Sequence, residues 1–256
     1  MKGTDQKRRS TKKVGIVGGM GARAGSDFFS KLVEYAPALT DQEFPEVFIH
    51  SNSRIPDRTK AIVYGEASSL PEILRSVKIL DQNEVDLVAM ACITSYHYYP
   101  EVIKHTKANV LHPVELTARF IRKNYPDRTK VGLLATTGTI KSGLFHQIYD
   151  EYGLEPVLLD EEDQENFFMT SVYMDNGLKS SVISQEARDL FMFTIPRLKA
   201  KGAEVMVGGC SEVQLVIKQS MLDIPYVDAI DLMVKEIVDK CYHLSDGQVI
   251  HEPLKV

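Results

Sequence analysis

The chain has 256 residues, 44% hydrophobic and 25% charged, the balance of a folded globular protein with material for one large core or two lobes. A net charge of −5 gives no field for nucleic acid or an anionic membrane, and the basic run Lys7-Arg8-Arg9 belongs to a polar tail, residues 1–9. No stretch approaches the roughly 20 apolar residues of a membrane span, and no apolar secretory core opens the chain, so a cytoplasmic location is expected. Three widely spaced cysteines suit neither a disulfide framework nor a CxxC metal site and are expected as reduced thiols.

Along the chain, short Val/Ile/Leu-rich runs at 14–17, 47–50, 87–90, 131–134, 156–159, 205–207 and 226–227 read as strands. Between them, apolar residues three or four apart mark helices over 25–36, 70–82, 100–106, 116–124, 144–152 and 185–199. Strand-helix alternation implies an α/β fold with parallel sheets flanked by helices.

The chain also resembles itself. Val14-Gly-Ile-Val-Gly-Gly-Met-Gly21 is echoed by Val131-Gly-Leu-Leu-Ala-Thr-Thr-Gly138, with Cys92 lying 78 positions after Val14 and Cys210 lying 79 after Val131. Each cysteine ends a β-like run, Asp86 to Cys92 and Glu204 to Cys210. We expect two pseudo-symmetric lobes, residues 10–114 plus 225–256 and residues 115–224, with Asp223-Ile-Pro-Tyr-Val-Asp228 supplying a strand that returns to the first lobe. Ligands of parallel α/β sheets bind at the carboxyl ends of strands, so facing lobes would bring both thiols to one cleft. A small residue packed at a strand end is the plainer account of one such cysteine. Two in register favour function.

The turn Gly15-Ile-Val-Gly18-Gly19-Met20-Gly21 has G-x-x-G-G-x-G spacing and lacks the dinucleotide pattern; it fits a carboxylate at a helix amino terminus, or a tight turn with no ligand. Two thiols of matched pKa on opposite faces of a carbon acid suffice for racemisation, one as base and one as acid, without a cofactor. Thr94, Ser95 and Ser211, beside the cysteines, are candidates to bind the carboxylate and stabilise the developing enediolate. Cys241, in the apolar-periodic segment 230–242, is expected in the core.

Four stretches resemble the aspartate/glutamate racemase superfamily: Gly15 to Gly21, Ile55-Pro-Asp-Arg-Thr59, Leu133 to Ile140 with Lys141-Ser142-Gly143, and Gly209-Cys-Ser-Glu212, supported by Asp160-Glu-Glu-Asp-Gln164. The resemblance spans about Val14 to Asp228. It implies two α/β lobes with the active site between them, an amino-acid racemase without pyridoxal phosphate or metal, an acidic amino-acid substrate and a homodimer. It also implies Cys92 and Cys210 as the acid/base pair, with Met20, Asn52, Arg58, Thr94, Ser95, Thr137, Thr139, Lys179 and Ser211 at the substrate and Glu212 behind them. Arginine suits bidentate binding of a carboxylate. The plainer readings are a structural salt bridge for Arg58 and solvation for Lys179.

The sequence departs from that pattern where Cys92-Ile93-Thr94-Ser95-Tyr96 replaces Cys-Asn-Thr-Ala-His, and Ala22-Arg23 stands where a proline is usual. Ile93 cannot supply an amide's hydrogen bonds, which opens other substrates: a neutral amino acid, a hydantoin or maleate. Arg23 offers either a new cation or a solvated one. Tyr96 to Tyr99 offer a reshaped pocket or packing, and His112 a ligand partner or a structural histidine. A catalytically silent binding protein and a nucleotide-dependent oxidoreductase are the readings from other classes.

Overall fold

The computed structural model describes residue 10 and residues 12–243. The expected tail over 1–9, and the end of the first-lobe assignment from 244 onward, lie outside the described residues. Two four-stranded parallel sheets organise the rest. The first contains β1 (Lys13–Gly18), β2 (Glu46–Ser51), β3 (Leu87–Met90) and β4 (Asn109–Val110), in the order β2-β1-β3-β4. The second contains β5 (Lys130–Leu134), β6 (Glu155–Val157), β7 (Val205–Gly208) and β8 (Tyr226–Asp228), in the order β6-β5-β7-β8. The shared order, each with its first strand between its second and third, is the structural counterpart of the internal repeat.

The central strands are apolar because helices cover both faces: β3 and β7 are buried along their whole length, and β1 from Val14 onward. The covering helices bury one stripe each, as in Ala22–Tyr35, which turns Ala24, Phe28 and Leu32 inward, and Leu70–Asp81, which buries Ile73, Val77 and Leu80.

Several elements differ from expectation. Residues Asp223 to Asp228 do not return to the first lobe: β8 pairs with β7 and is the edge of the second sheet. The chain crosses only afterwards, through the helix Ala229–Tyr242, which packs on Ala22–Tyr35 and on Pro113–Asn124. Asp228 makes the corner, its carboxylate accepting from the N–H groups of Ile230 and Asp231 at 2.9 and 3.0 Å. The helix expected over 100–106 is a short α turn, Tyr99–Val102, between 3₁₀ segments Ile93–Tyr98 and Ile103–His105. Strand β4, with two residues, and the short helices Arg58–Tyr64 and Thr137–Lys141 are too brief for periodicity to mark. Among the described residues no helix is long and apolar enough to cross a membrane.

Candidate active site

Equivalent registers carry the two cysteines to equivalent places. Val14 pairs with Leu87 and Val131 with Val205, and each cysteine lies five positions beyond the paired residue, just past the carboxyl end of β3 or β7. The glycines before Cys210 are dictated by crowding, since a Cβ at Gly208 would sit 2.5 Å from the Tyr226 hydroxyl, and one at Gly209 3.0 Å from the Phe145 ring. Both thiols are about 5% exposed and line one cavity between the lobes, with Arg58, Thr59, Ile93, Thr94, Thr136, Tyr173, Lys179, Ser211 and Glu212. The lobes touch here through Gly138, whose added Cβ would lie 2.8 Å from Thr59 Cα. The void is only about 10 Å³, on the order of what one water needs, so no amino acid fits it as it stands.

Arg58 opens the helix Arg58–Tyr64, capped by Asp57, and is 6% exposed. Its Nη1 donates to Pro56 O at 2.9 Å and its Nη2 to Met20 O at 2.8 Å, while Nε has no acceptor. Burial pulls its pKa down, but the charges of the neighbouring Cys92 and Asp57 more than offset this and raise it. On the opposite wall, the Cys210 thiol donates to Glu212 Oε2 at 3.1 Å, and the Ser211 hydroxyl donates to the same oxygen at 3.0 Å. Burial, and then the Glu212 charge, push the Cys210 thiol well above its ordinary value, so it is held protonated. Glu212 itself stays ionised: burial raises its pKa, but Lys179 and the two donors bring it below the ordinary 4.5. Lys179 Nζ is 3.6 Å from Glu212 Oε1 and 5.3 Å from the Tyr173 ring centre. Its pKa is raised despite burial, chiefly by Glu212.

Of the residues expected from sequence, Cys92, Arg58, Thr94, Lys179, Cys210, Ser211 and Glu212 line the cavity; the others do not. Asn52 is turned away, its Nδ2 donating to Glu72 Oε2 at 2.9 Å and Ser76 Oγ at 3.1 Å. Met20 is a core side chain that offers only its carbonyl, to Arg58. Ser95 donates to Cys92 O at 2.6 Å and braces the turn beneath the first thiol. Thr137 donates to Glu165 at 2.8 Å. Thr139 closes a buried triangle of hydroxyls with Thr94 and Thr136, at 2.8 to 3.1 Å, that bridges the lobes.

Thr59, Thr136 and Tyr173 were missed. Thr59 and Thr136 were within quoted motifs, whereas nothing in the sequence singles out Tyr173, whose hydroxyl donates to Asp57 across the cleft at 3.0 Å. Arg23 donates to Ser180 O at 3.3 Å on the surface. The aromatic run is packing: the Tyr96 hydroxyl accepts from Met90 N–H, and its ring meets His112 at 5.3 Å. His112 caps the helix Pro113–Asn124, and Cys241 is a buried core residue.

The family model described as Asp/Glu/Hydantoin racemase matches residues 17–237. The chain belongs to this family. It is 24% identical over 230 residues to the broad specificity amino-acid racemase RacX of Bacillus subtilis (strain 168), covering 88% of this chain and 96% of that protein. Among solved structures it is similar to the Picrophilus torridus aspartate racemase, with a TM-score of 0.78 and 26% identity over 91% of this chain and 94% of that one. The fold also matches the glutamate racemase of Francisella tularensis subsp. tularensis SCHU S4 solved with D-glutamate, with a TM-score of 0.61 and 17% identity over 93% and 82% of the two chains. The two-lobed fold and the racemase family follow together from the sheets and these matches.

Proposed function

We propose that this racemase-family chain inverts the α-carbon of a free amino acid by proton transfer between Cys92 and Cys210, with no cofactor. The observation that carries the reading is that two cysteines at equivalent strand ends line one narrow cavity with Arg58 and Lys179. In one direction Cys92, in the cavity beside Arg58, is the base, and Cys210, whose thiol donates to Glu212, is the acid. The Cys92 thiolate takes the α-proton, and the electron pair left on carbon spreads into the α-carboxylate as an enediolate. The Cys210 S–H bond then breaks to deliver a proton to the opposite face, leaving Cys92 as thiol, Cys210 as thiolate and the α-carbon inverted. That swapped pair is the form ready for the other enantiomer. The Thr59 hydroxyl and the Arg58 Nε–H, which lacks an acceptor, are the donors at hand for the enediolate.

For the substrate side chain, the presence of Arg58 and Lys179 in one cavity favours the acidic amino acid expected from sequence. Against it, both cations are already engaged, and Ile93 stands in the wall where the family pattern has an amide. The proposal includes the homodimer and the cytoplasmic location, of which light scattering in solution tests the first. For the chemistry, dialysed protein in deuterium oxide is incubated with enantiopure L-aspartate, L-glutamate and neutral amino acids. Inversion with solvent deuterium at the α-carbon, lost in Cys92→Ala and Cys210→Ala, is expected; full activity in both variants would refute the mechanism.

A further inference from the structure

The thiol cavity has space for about one water and must open for any amino acid. Two larger grooves adjoin it. One, of about 380 Å³, shares Thr59 and Tyr173 with the cavity wall. The other, of about 610 Å³, shares only Lys179 and is lined by serines and Arg23. Opening towards the second groove requires Lys179 to leave the buried Glu212 carboxylate. Opening towards the first requires Tyr173, 39% exposed, to release Asp57, itself accessible to water, and to slide its ring from beneath Lys179, while the Lys179–Glu212 pair stays in place. A hydrogen bond that water can replace yields more readily than an ion pair with a buried carboxylate.

Resting on the proposed racemase reading, we infer that Tyr173 is the gate between the thiol cavity and the adjoining groove, and that this groove receives the substrate's side chain, selecting uncharged, extended side chains over dicarboxylates. The α-carbon must lie between the thiols, so the side chain leaves by whichever wall opens. Beyond Tyr173 the groove presents Met169, Met174 and the Tyr64 ring, a soft apolar surface that adapts to varied side chains. Its charged groups are Asp57 and Glu165 against the single cation Lys60, so a second substrate carboxylate would meet more negative charge than positive. Tyr173 touches the reaction only by admitting and enclosing the substrate; it is a gating residue, and the groove beyond it sets the preference.

The test compares kcat/KM for L-methionine and L-leucine with that for L-aspartate in the wild type, Tyr173→Phe and Met174→Lys, with α-deuterium exchange as a parallel readout. The wild type is expected to favour the uncharged substrates. Met174→Lys, a change at the groove wall outside the thiol cavity, is expected to move the ratio towards aspartate by about tenfold, the effect of one well-placed charge or apolar contact in a pocket. Tyr173→Phe, which keeps the ring but loses the latch, is expected to raise KM and leave the preference in place. Deuterium exchange with a ratio unmoved by Met174→Lys, or a ratio moved instead by Arg23→Ala, would overturn the groove assignment and leave the racemase reading intact. Absence of exchange on every amino acid would overturn both.

Discussion

Glu212 joins three groups: it accepts from the Cys210 thiol and the Ser211 hydroxyl and pairs with Lys179. Glu212→Gln keeps the shape and removes the charge, leaving the Lys179 ammonium without its counter-ion. Breaking a fully buried pair costs about 3–5 kcal/mol, whereas exposed pairs are worth about 0–1 kcal/mol. Here the carboxylate side chain is 3% exposed and the lysine 22%, at a separation of 3.6 Å, so solvent relieves part of the loss. The expected cost is about 2–3 kcal/mol, which in a chain of this size lowers Tm by about 4–12 °C. The sign with pH follows from Glu212 titrating below its ordinary 4.5 in the folded chain: the wild type's advantage is full above that value and is lost as pH falls through the depressed one. The same change removes a cause of the high Cys210 pKa, so the alkaline limb of kcat/KM should move to lower pH. Calorimetry on Glu212→Gln, Lys179→Met and the double variant, with pH profiles of activity, reads all of this. The double variant should be more stable than Glu212→Gln, because an apolar replacement strands no charge. A Glu212→Gln protein with unchanged Tm and an unmoved alkaline limb would show that Glu212 is coupled to neither Lys179 nor Cys210.

Further predictions rest on other parts of the fold. Gly138→Ala places a methyl 2.8 Å from Thr59 Cα in the other lobe, so it should destabilise by about 1–3 kcal/mol and lower activity by parting the lobes; wild-type Tm and kcat would contradict this. Burial lowers the His112 pKa to about 4, so the unfolded chain binds its proton first, and stability should fall as pH drops from about 6.5 to about 4. His112→Asn, which retains a capping side chain, should flatten that slope in thermal melts. Thr94→Val removes the hydroxyl nearest both Thr136 and Thr139 and should cost about 1–3 kcal/mol for the buried hydroxyls left short of a partner, read by denaturant titration.

The legible parts of the sequence were those with long-range pattern. Apolar runs marked the central strands because both their faces are covered, and the repeat placed Cys92 and Cys210 at matching strand ends because matching registers recur in the two sheets. What escaped was short or decided by tertiary partners. Strand β8 was assigned to the wrong sheet because a three-residue apolar run carries no mark of its neighbour; pairing with β7, and the corner at Asp228, decide it. Asn52 and Thr137 have the chemistry of substrate ligands, yet Glu72 with Ser76, and Glu165, consume their hydrogen bonds. Tyr173 gave no signal because the partner of its hydroxyl, Asp57, lies more than a hundred positions away.

In the proposed reaction two opposed thiols exchange the α-proton with solvent. The most direct measurement is the primary α-deuterium incorporated by the wild type, Cys92→Ser and Cys210→Ser in deuterium oxide from each enantiomer of a reactive amino acid. Deuterium is expected in the inverted product from both enantiomers in the wild type, with no inversion in either variant. Inversion that persists in either variant, or product that retains the original α-proton, would contradict the mechanism.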